Sequence, residues 1–255
     1  MTVTAKKMKR LGLCILITLC FSNELFADTL ELATLEWPPF SGSNLPENGI
    51  NGQIISQALS YENHTLAIAV FPWNRAYRTV KTGQTLGYFP KYLNLSSELL
   101  FSDAIGVSPI VLLERKNHPI KWHVVSDLNR YTLGVINGFI NTEEIDEMIL
   151  NGSQPSETAS DEKQNILKLA AGRIDAILID AHVYQYLAST DPQVANVAQR
   201  LQINAKIIEH KSLHVAFIDN PQGKKWRDII NNGLAKFDPL AMQEALLPFK
   251  NRTVD

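Results

Sequence analysis

The chain has 255 residues, is 45% hydrophobic, and carries 24 basic against 26 acidic side chains, a formal net charge of −2 at pH 7. That balance excludes a strongly basic nucleic-acid binder and a chain too polar to build a core. The length suits two modest α/β lobes or one large domain.

Lys6, Lys7, Lys9 and Arg10 precede an apolar run from Leu11 to Phe21. That run is well short of the ~20 residues a spanning helix needs, so it reads as a secretory signal peptide, with cleavage after Ala27 and a periplasmic destination. Both cysteines, Cys14 and Cys20, lie inside this leader. The mature chain is therefore expected to hold no thiol, disulfide or cysteine metal site. Leu19 stands where lipoprotein leaders carry a small residue, which disfavours lipid attachment at Cys20.

Past the leader, short β-branched or apolar runs alternate with amphipathic segments, the pattern of an α/β protein. Residues 29–35 read as a strand. Trp37-Pro38-Pro39-Phe40 ends it, because proline cannot donate to a ladder and restricts the residue before it. A helix is predicted over 49–61, with Ile50, Ile54, Ala58 and Leu59 on one face, then a strand over 65–71. Pro72 suits the first turn of a second helix, which runs to Lys81 and stops at Gly83. Strands follow over 86–89 and 105–114.

A new cycle starts in the middle third: strand 131–136, a turn at Gly138, helix 142–150. Asp161 is placed to cap a helix that ends at Gly172. Residues 174–179 form the clearest apolar run, followed by a helix over 181–188. A strand over 213–218 and helices over 221–237 and 239–246 close the chain.

In order, four segments resemble the amino-acid-type periplasmic solute-binding proteins, bacterial extracellular solute-binding family 3. They are Leu35-Glu36-Trp37-Pro38-Pro39-Phe40; Pro72-Trp73-Asn74-Arg75-Ala76 with Val80-Lys81-Thr82-Gly83; Phe101-Ser102-Asp103-Ala104-Ile105; and Leu133-Gly134-Val135-Ile136-Asn137-Gly138 followed by Ala171-Gly172-Arg173-Ile174-Asp175-Ala176-Ile177-Leu178-Ile179-Asp180. The resemblance implies a two-lobed type II periplasmic-binding-protein fold, each lobe a mixed sheet flanked by helices, with two hinge crossings. Carried over, residues 28–110 and 212–255 form lobe one and 111–211 form lobe two. The ligand is expected in the crevice between them, at carboxyl ends of strands.

By the same resemblance, Trp37 and Trp73 present aromatic rings to the ligand, with Phe40 beside Trp37, and Asp180 ends a strand where relatives hold an ammonium group. Asn137 and Gly138 begin a turn whose backbone N–H groups can face an anion. Relatives often carry Gly-Thr-Thr there, whereas this chain has Gly138-Phe139-Ile140. Amino-acid binders also grip the α-carboxylate with an arginine before the Phe-Ser-Asp segment, and between Arg78 and Arg115 there is none. Lys91 is the nearby cation and Arg75 the candidate substitute, but a lysine is a point charge where the guanidinium is a fork. Tyr88, Phe89 and Tyr92 make the crevice more apolar. The expected guest is a small polar or amphipathic molecule other than a standard α-amino acid.

No catalytic residue, cofactor or metal is expected. The pairs His118/His123 and His210/His214 lack a third ligand at metal spacing, and no Gly-x-Ser-x-Gly nucleophile motif occurs. The expected partners are a small-molecule ligand and a membrane permease or receptor, with no nucleic acid, for a monomeric chain. Two alternatives remain: a periplasmic dehydratase of the cyclohexadienyl or arogenate type, and a sensor partner without transport.

Overall fold

A computed structural model describes residues 27–94 and 97–248, with the side chains of Trp73 and Asn74 outside that set. The signal-peptide reading falls on residues outside it, apart from Ala27 at its expected cleavage point.

The chain opens with β1 (Thr29–Thr34), α1 (Ile50–Tyr61), β2 (Thr65–Val70), α2 (Trp73–Lys81), β3 (Gly87–Tyr92), β4 (Leu99–Phe101) and β5 (Gly106–Arg115). The middle adds β6 (Leu133–Ile136), α3 (Glu143–Leu150), β7 (Ser156–Ala159), α4 (Glu162–Ala170), β8 (Ala176–Asp180), α5 (Ala181–Thr190) and α6 (Pro192–Ala198). It closes with β9 (Leu201–Ile218), α7 (Pro221–Leu234) and α8 (Pro239–Leu246). Three elements were not anticipated: β4, β7 and α6. Bounds move as well: β9 begins at Leu201, not at 213, α7 stops at Leu234, not at 237, and β3 runs on to Tyr92, not to 89.

The strands join in the order β2-β1-β3-β9-β5-β8-β6-β7, with β4 also on β9. β1 pairs in parallel with β2 and β3, and β6 in parallel with β7 and β8, as helical crossovers require. The two parallel groups are joined through antiparallel β5 and β9. The Leu213 end of β9 pairs with β3 and β4, and its remainder pairs with β5. The β5–β9 register is broken on either side of Val111.

Side chains alternate across this sheet with the period of a strand. Val111 and Leu113 of β5, with Ile177 and Ile179 of β8, enter one apolar cluster. Ile110 and Leu112, with Ala176 and Leu178, enter a cluster on the opposite face. In the first half, Leu30 and Leu32 pack beneath α1 and α7, while Ala33 faces α2. Helices α1 and α7 approach closely enough that a Cβ on Gly233 would lie 2.0 Å from the Ala58 carbonyl oxygen.

The helix starts follow from their caps. Thr142, Asp161, Asp180, Asp191, Asn220 and Asp238 each accept a hydrogen bond from a first-turn backbone N–H. Near the β5–β9 ladder, the Gln243 side chain accepts from Val107 N and donates to Val107 O, fastening α8 to β5. Among the described residues, no helix is long and apolar enough to cross a membrane.

Candidate functional site

Segments far apart in sequence meet in one cleft. Leu35, Trp37, Pro90, Lys91 and Tyr92 line one side and Phe139 and Ile140 the other, around about 430 Å³ of empty space that includes its opening to solvent. The two prolines break the chain after β1, and Trp37 N donates to Ser41 O while Ser41 N donates back to Trp37 O, so a tight turn holds the indole. The indole lies 4.7 Å from the Phe40 ring and edge-on to Tyr92 at 6.2 Å, centroid to centroid.

Phe40 and Phe89 are fully enclosed and stand behind the lining. Phe40 supports Trp37 from below and meets His182 of α5 edge-on at 6.0 Å. Asn137 and Gly138 are exposed in the turn after β6, and the next two residues, Phe139 and Ile140, reach the cleft. Arg75 is exposed on α2 with its guanidinium 5.4 Å from the centre of the Phe71 ring, apart from the cleft lining. The Trp73 side chain lies outside the described residues.

Asp180 ends β8 and caps α5. Its Oδ1 accepts from His182 N at 2.7 Å and Val183 N at 2.9 Å, while Oδ2 makes no hydrogen bond of good geometry, with the Ser108 hydroxyl close to the carboxyl. Burial pushes this carboxyl up to about 6, against the opposing pull of His182, the Ser108 hydroxyl and the two backbone N–H groups. Ser108 Oγ lies 3.2 Å from the Tyr92 hydroxyl. Burial first, then the Asp180 charge, raises the Tyr92 phenol.

A further carboxyl reaches this region from α4. Glu162, in the first turn after the Asp161 cap, is half-buried, and the nearby Trp37 indole N–H acts to lower its carboxyl. Burial is the main cause that raises it, and the charges of Asp161 and Asp180 add to the rise. Neither Glu162 nor Asp180 forms an ion pair with a described lysine or arginine. On the opposite wall, Lys91 is held below its ordinary value by burial first and by Lys211 second.

Sequence reasoning did not select Glu162, Ser108, Phe139 or Ile140 as site residues. An acidic residue in a first helical turn is already explained by the helix dipole, so Glu162 carries no separate signal. Phe139 and Ile140 were visible only as a departure from the hydroxyl pair of relatives.

No group of three or more histidine, cysteine or acidic side chains suited to a metal occurs among the described residues. The His214 ring nitrogens lie 2.7 Å from Ser102 O and from Ser212 Oγ, so this histidine packs into β9.

No protein-family model matches the chain, and no curated protein matches its sequence. Solved structures do match its fold. The GluR0 ligand-binding core from Nostoc punctiforme, in complex with L-glutamate, is similar at 17% identity and a TM-score of 0.67, covering 87% of this chain and 100% of that one. A histidine kinase sensor domain with similarity to periplasmic binding proteins is similar at 14% identity and a TM-score of 0.69, covering 86% and 93%. An arginine-bound ArgBP from T. maritima is similar at 15% identity and a TM-score of 0.63, covering 82% and 95%. The mixed sheet, its two antiparallel linking strands and these likenesses give one result: the chain has the two-lobed, type II periplasmic-binding-protein fold.

Proposed function

We propose that this protein is an exported solute-binding protein that captures a small polar or amphipathic molecule between its lobes, for an ABC-type transporter or a membrane sensor. Lobe one is residues 28–110 with 212–255, lobe two is 111–211, and the crossings run along β5 and β9. The observation that carries the reading is the cleft itself: Trp37 and Tyr92 from one half face Phe139 and Ile140 from the other. A guest that touches both walls favours the closed arrangement, and that difference in affinity shifts the population.

The arginine-free loop before Phe101 and the apolar Phe139-Ile140 pair support a guest other than a standard α-amino acid. Binding without turnover is the reading for the site: Lys91 and Tyr92 line the cleft, and the Asp180 carboxyl, with Ser108 and His182 beside it, stands behind the lining and caps α5. The similarity to a sensor domain supports signalling as a second destination for the closed form.

The test is a thermal-shift screen of the mature protein against amino acids, amines, organic acids and aromatic metabolites, since a guest that binds only the folded state raises its melting point. Trp37→Ala is expected to weaken the best guest about ten-fold or more, given a stacked ring worth ~1.5 kcal/mol. Unchanged affinity with a normal melting curve removes Trp37 from the site.

A further inference from the structure

The walls of the cleft sort its candidate guests by charge and by shape. Among the described residues that line it, Lys91 carries the only charge and none is a carboxylate; Asp180 and Glu162 do not reach the lining. Lys91 belongs to β3 itself, opposite His214 of β9, so the sheet fixes its place. A second lysine stands behind this wall. Lys211 of β9 has a side chain only 12% exposed and lies 5.0 Å from the centre of the Tyr92 ring, while its partner Glu209, 3.3 Å away, is 43% exposed and open to solvent screening. This side of the cleft therefore carries an excess of positive charge, and cations withdrawn from water are ordinarily matched by an anion.

The other wall is apolar. Gly138 takes φ 79°, a left-handed turn suited to glycine, and the chain then places Phe139 against the cluster that holds Leu35 and Trp37, with Ile140 beside it on the lining. The one hydroxyl on the lining, that of Tyr92, lies 3.2 Å from Ser108 Oγ. An ammonium head thus meets no carboxylate on these walls, and a second polar head meets Phe139 and Ile140.

We propose that the guest is an organic anion with an apolar body and no ammonium group, that Lys91 takes its charge, and that Phe139 is the residue that selects its body. The inference rests on the solute-binding reading and names the chemical class of its guest. A zwitterion is rejected because enclosing its ammonium without an acceptor forfeits hydration that nothing replaces. A ring or alkyl body between Trp37 and Phe139 touches both halves of the sheet, so the contact that selects the body also favours closure.

The test is titration calorimetry on the mature protein with four probes of related skeleton, 3-phenylpropionate, 3-phenylpropanol, phenethylamine and L-phenylalanine, and with hexanoate as an alkyl anion. At least one anion is expected to bind about ten-fold or more tightly than the neutral, cationic and zwitterionic probes. Lys91→Met, which keeps the apolar stem, should remove that preference, and Lys91→Arg should retain most of it. Phe139→Thr should weaken the bound anion about ten-fold. Melting curves show whether each variant is folded. A neutral, cationic or zwitterionic probe that binds as tightly as the anions, no anion binding at all, or anion affinity unchanged in a folded Lys91→Met or a folded Phe139→Thr overturns the inference. The solute-binding reading survives that result if a guest of another charge class binds and Trp37→Ala weakens it. Failure of every charge class to bind removes both.

Discussion

Asp180 shows a conflict between stability and binding at a single side chain. Its Oδ1 caps α5, but enclosure of the ionised group raises the carboxyl from 3.8 to about 6. A folded-state pKa above the unfolded one means that the native state binds the proton more tightly. Stability conferred by the neutral form is then fully present below about pH 4, declines as pH rises to about 6, and stays lost above that. At about 1.4 kcal/mol per unit, the ionised group costs on the order of 1–3 kcal/mol at neutral pH. Asp180→Asn keeps an amide oxygen for the cap and removes the charge. It should raise the melting temperature of the unliganded protein at pH 7.5, with the gain disappearing near pH 4. His182, Ser108, Tyr92 and Glu162 face this group from α5, β5, β3 and α4, so melting of Glu162→Gln over the same pH range separates their shares. No gain at pH 7.5 would show that the carboxylate is better solvated than its burial implies. Trp37 and Asp180 were legible in sequence because a Trp-Pro-Pro break and a carboxylate ending an apolar strand are locally unusual. Ser108 was not, since nothing around it in sequence records that β8 pairs with β5 and brings Asp180 close to it.

Elements were legible where burial and capping left a local trace. Asp161 and Asp238 stand immediately before the helices they cap, and the apolar run ending at Asp180 marks β8. β9 is the main loss. Its residues 201–212 alternate weakly because all but Leu201 are partly buried or exposed, so no apolar period separates them from a loop, whereas Leu213–Phe217 are all buried and announce themselves. β7 is a four-residue edge strand of mostly polar residues, Ser-Glu-Thr-Ala, paired on one side only. α6 did leave a signal, Asp191 capping before Pro192, but its single buried residue, Val194, gives no amphipathic period to recognise. The α1–α7 contact was likewise invisible: Gly233 inside α7 looks like a helix-weakening residue until α1 is seen against it. Because the obstacle is the Ala58 backbone oxygen at 2.0 Å from the position of a Cβ, no side-chain rotation relieves it. Gly233→Ala, which in an open helix would gain stability from propensity, should instead destabilise by about 2–3 kcal/mol through overpacking. Chemical denaturation measures this as a lower midpoint at unchanged slope. A stabilised variant would mean that α1 and α7 separate readily.

At the scale of the whole molecule, everything passes through two strands. β5 and β9 link the parallel groups, and their register is disturbed on either side of Val111 while the ladder stays regular toward both ends. Register breaks concentrate bending in a sheet, so the proposed hinge has a physical location near Val111 and Ile207. The Gln243 clasp on Val107 anchors the neighbouring stretch of β5 to α8 and confines the motion to the far side. A guest that touches Trp37 on one wall and Phe139 on the other should favour the compact arrangement, and small-angle scattering should then record a smaller radius of gyration on saturation. The same guest stabilises by mass action, about 2.7 kcal/mol at one hundred times its Kd. For a chain of this size each kcal/mol moves the melting point by about 2–4 °C, so the expected rise is roughly 5–10 °C. The two measurements test different links. A melting shift without compaction would place the guest on one half alone, leaving the hinge without a role in capture.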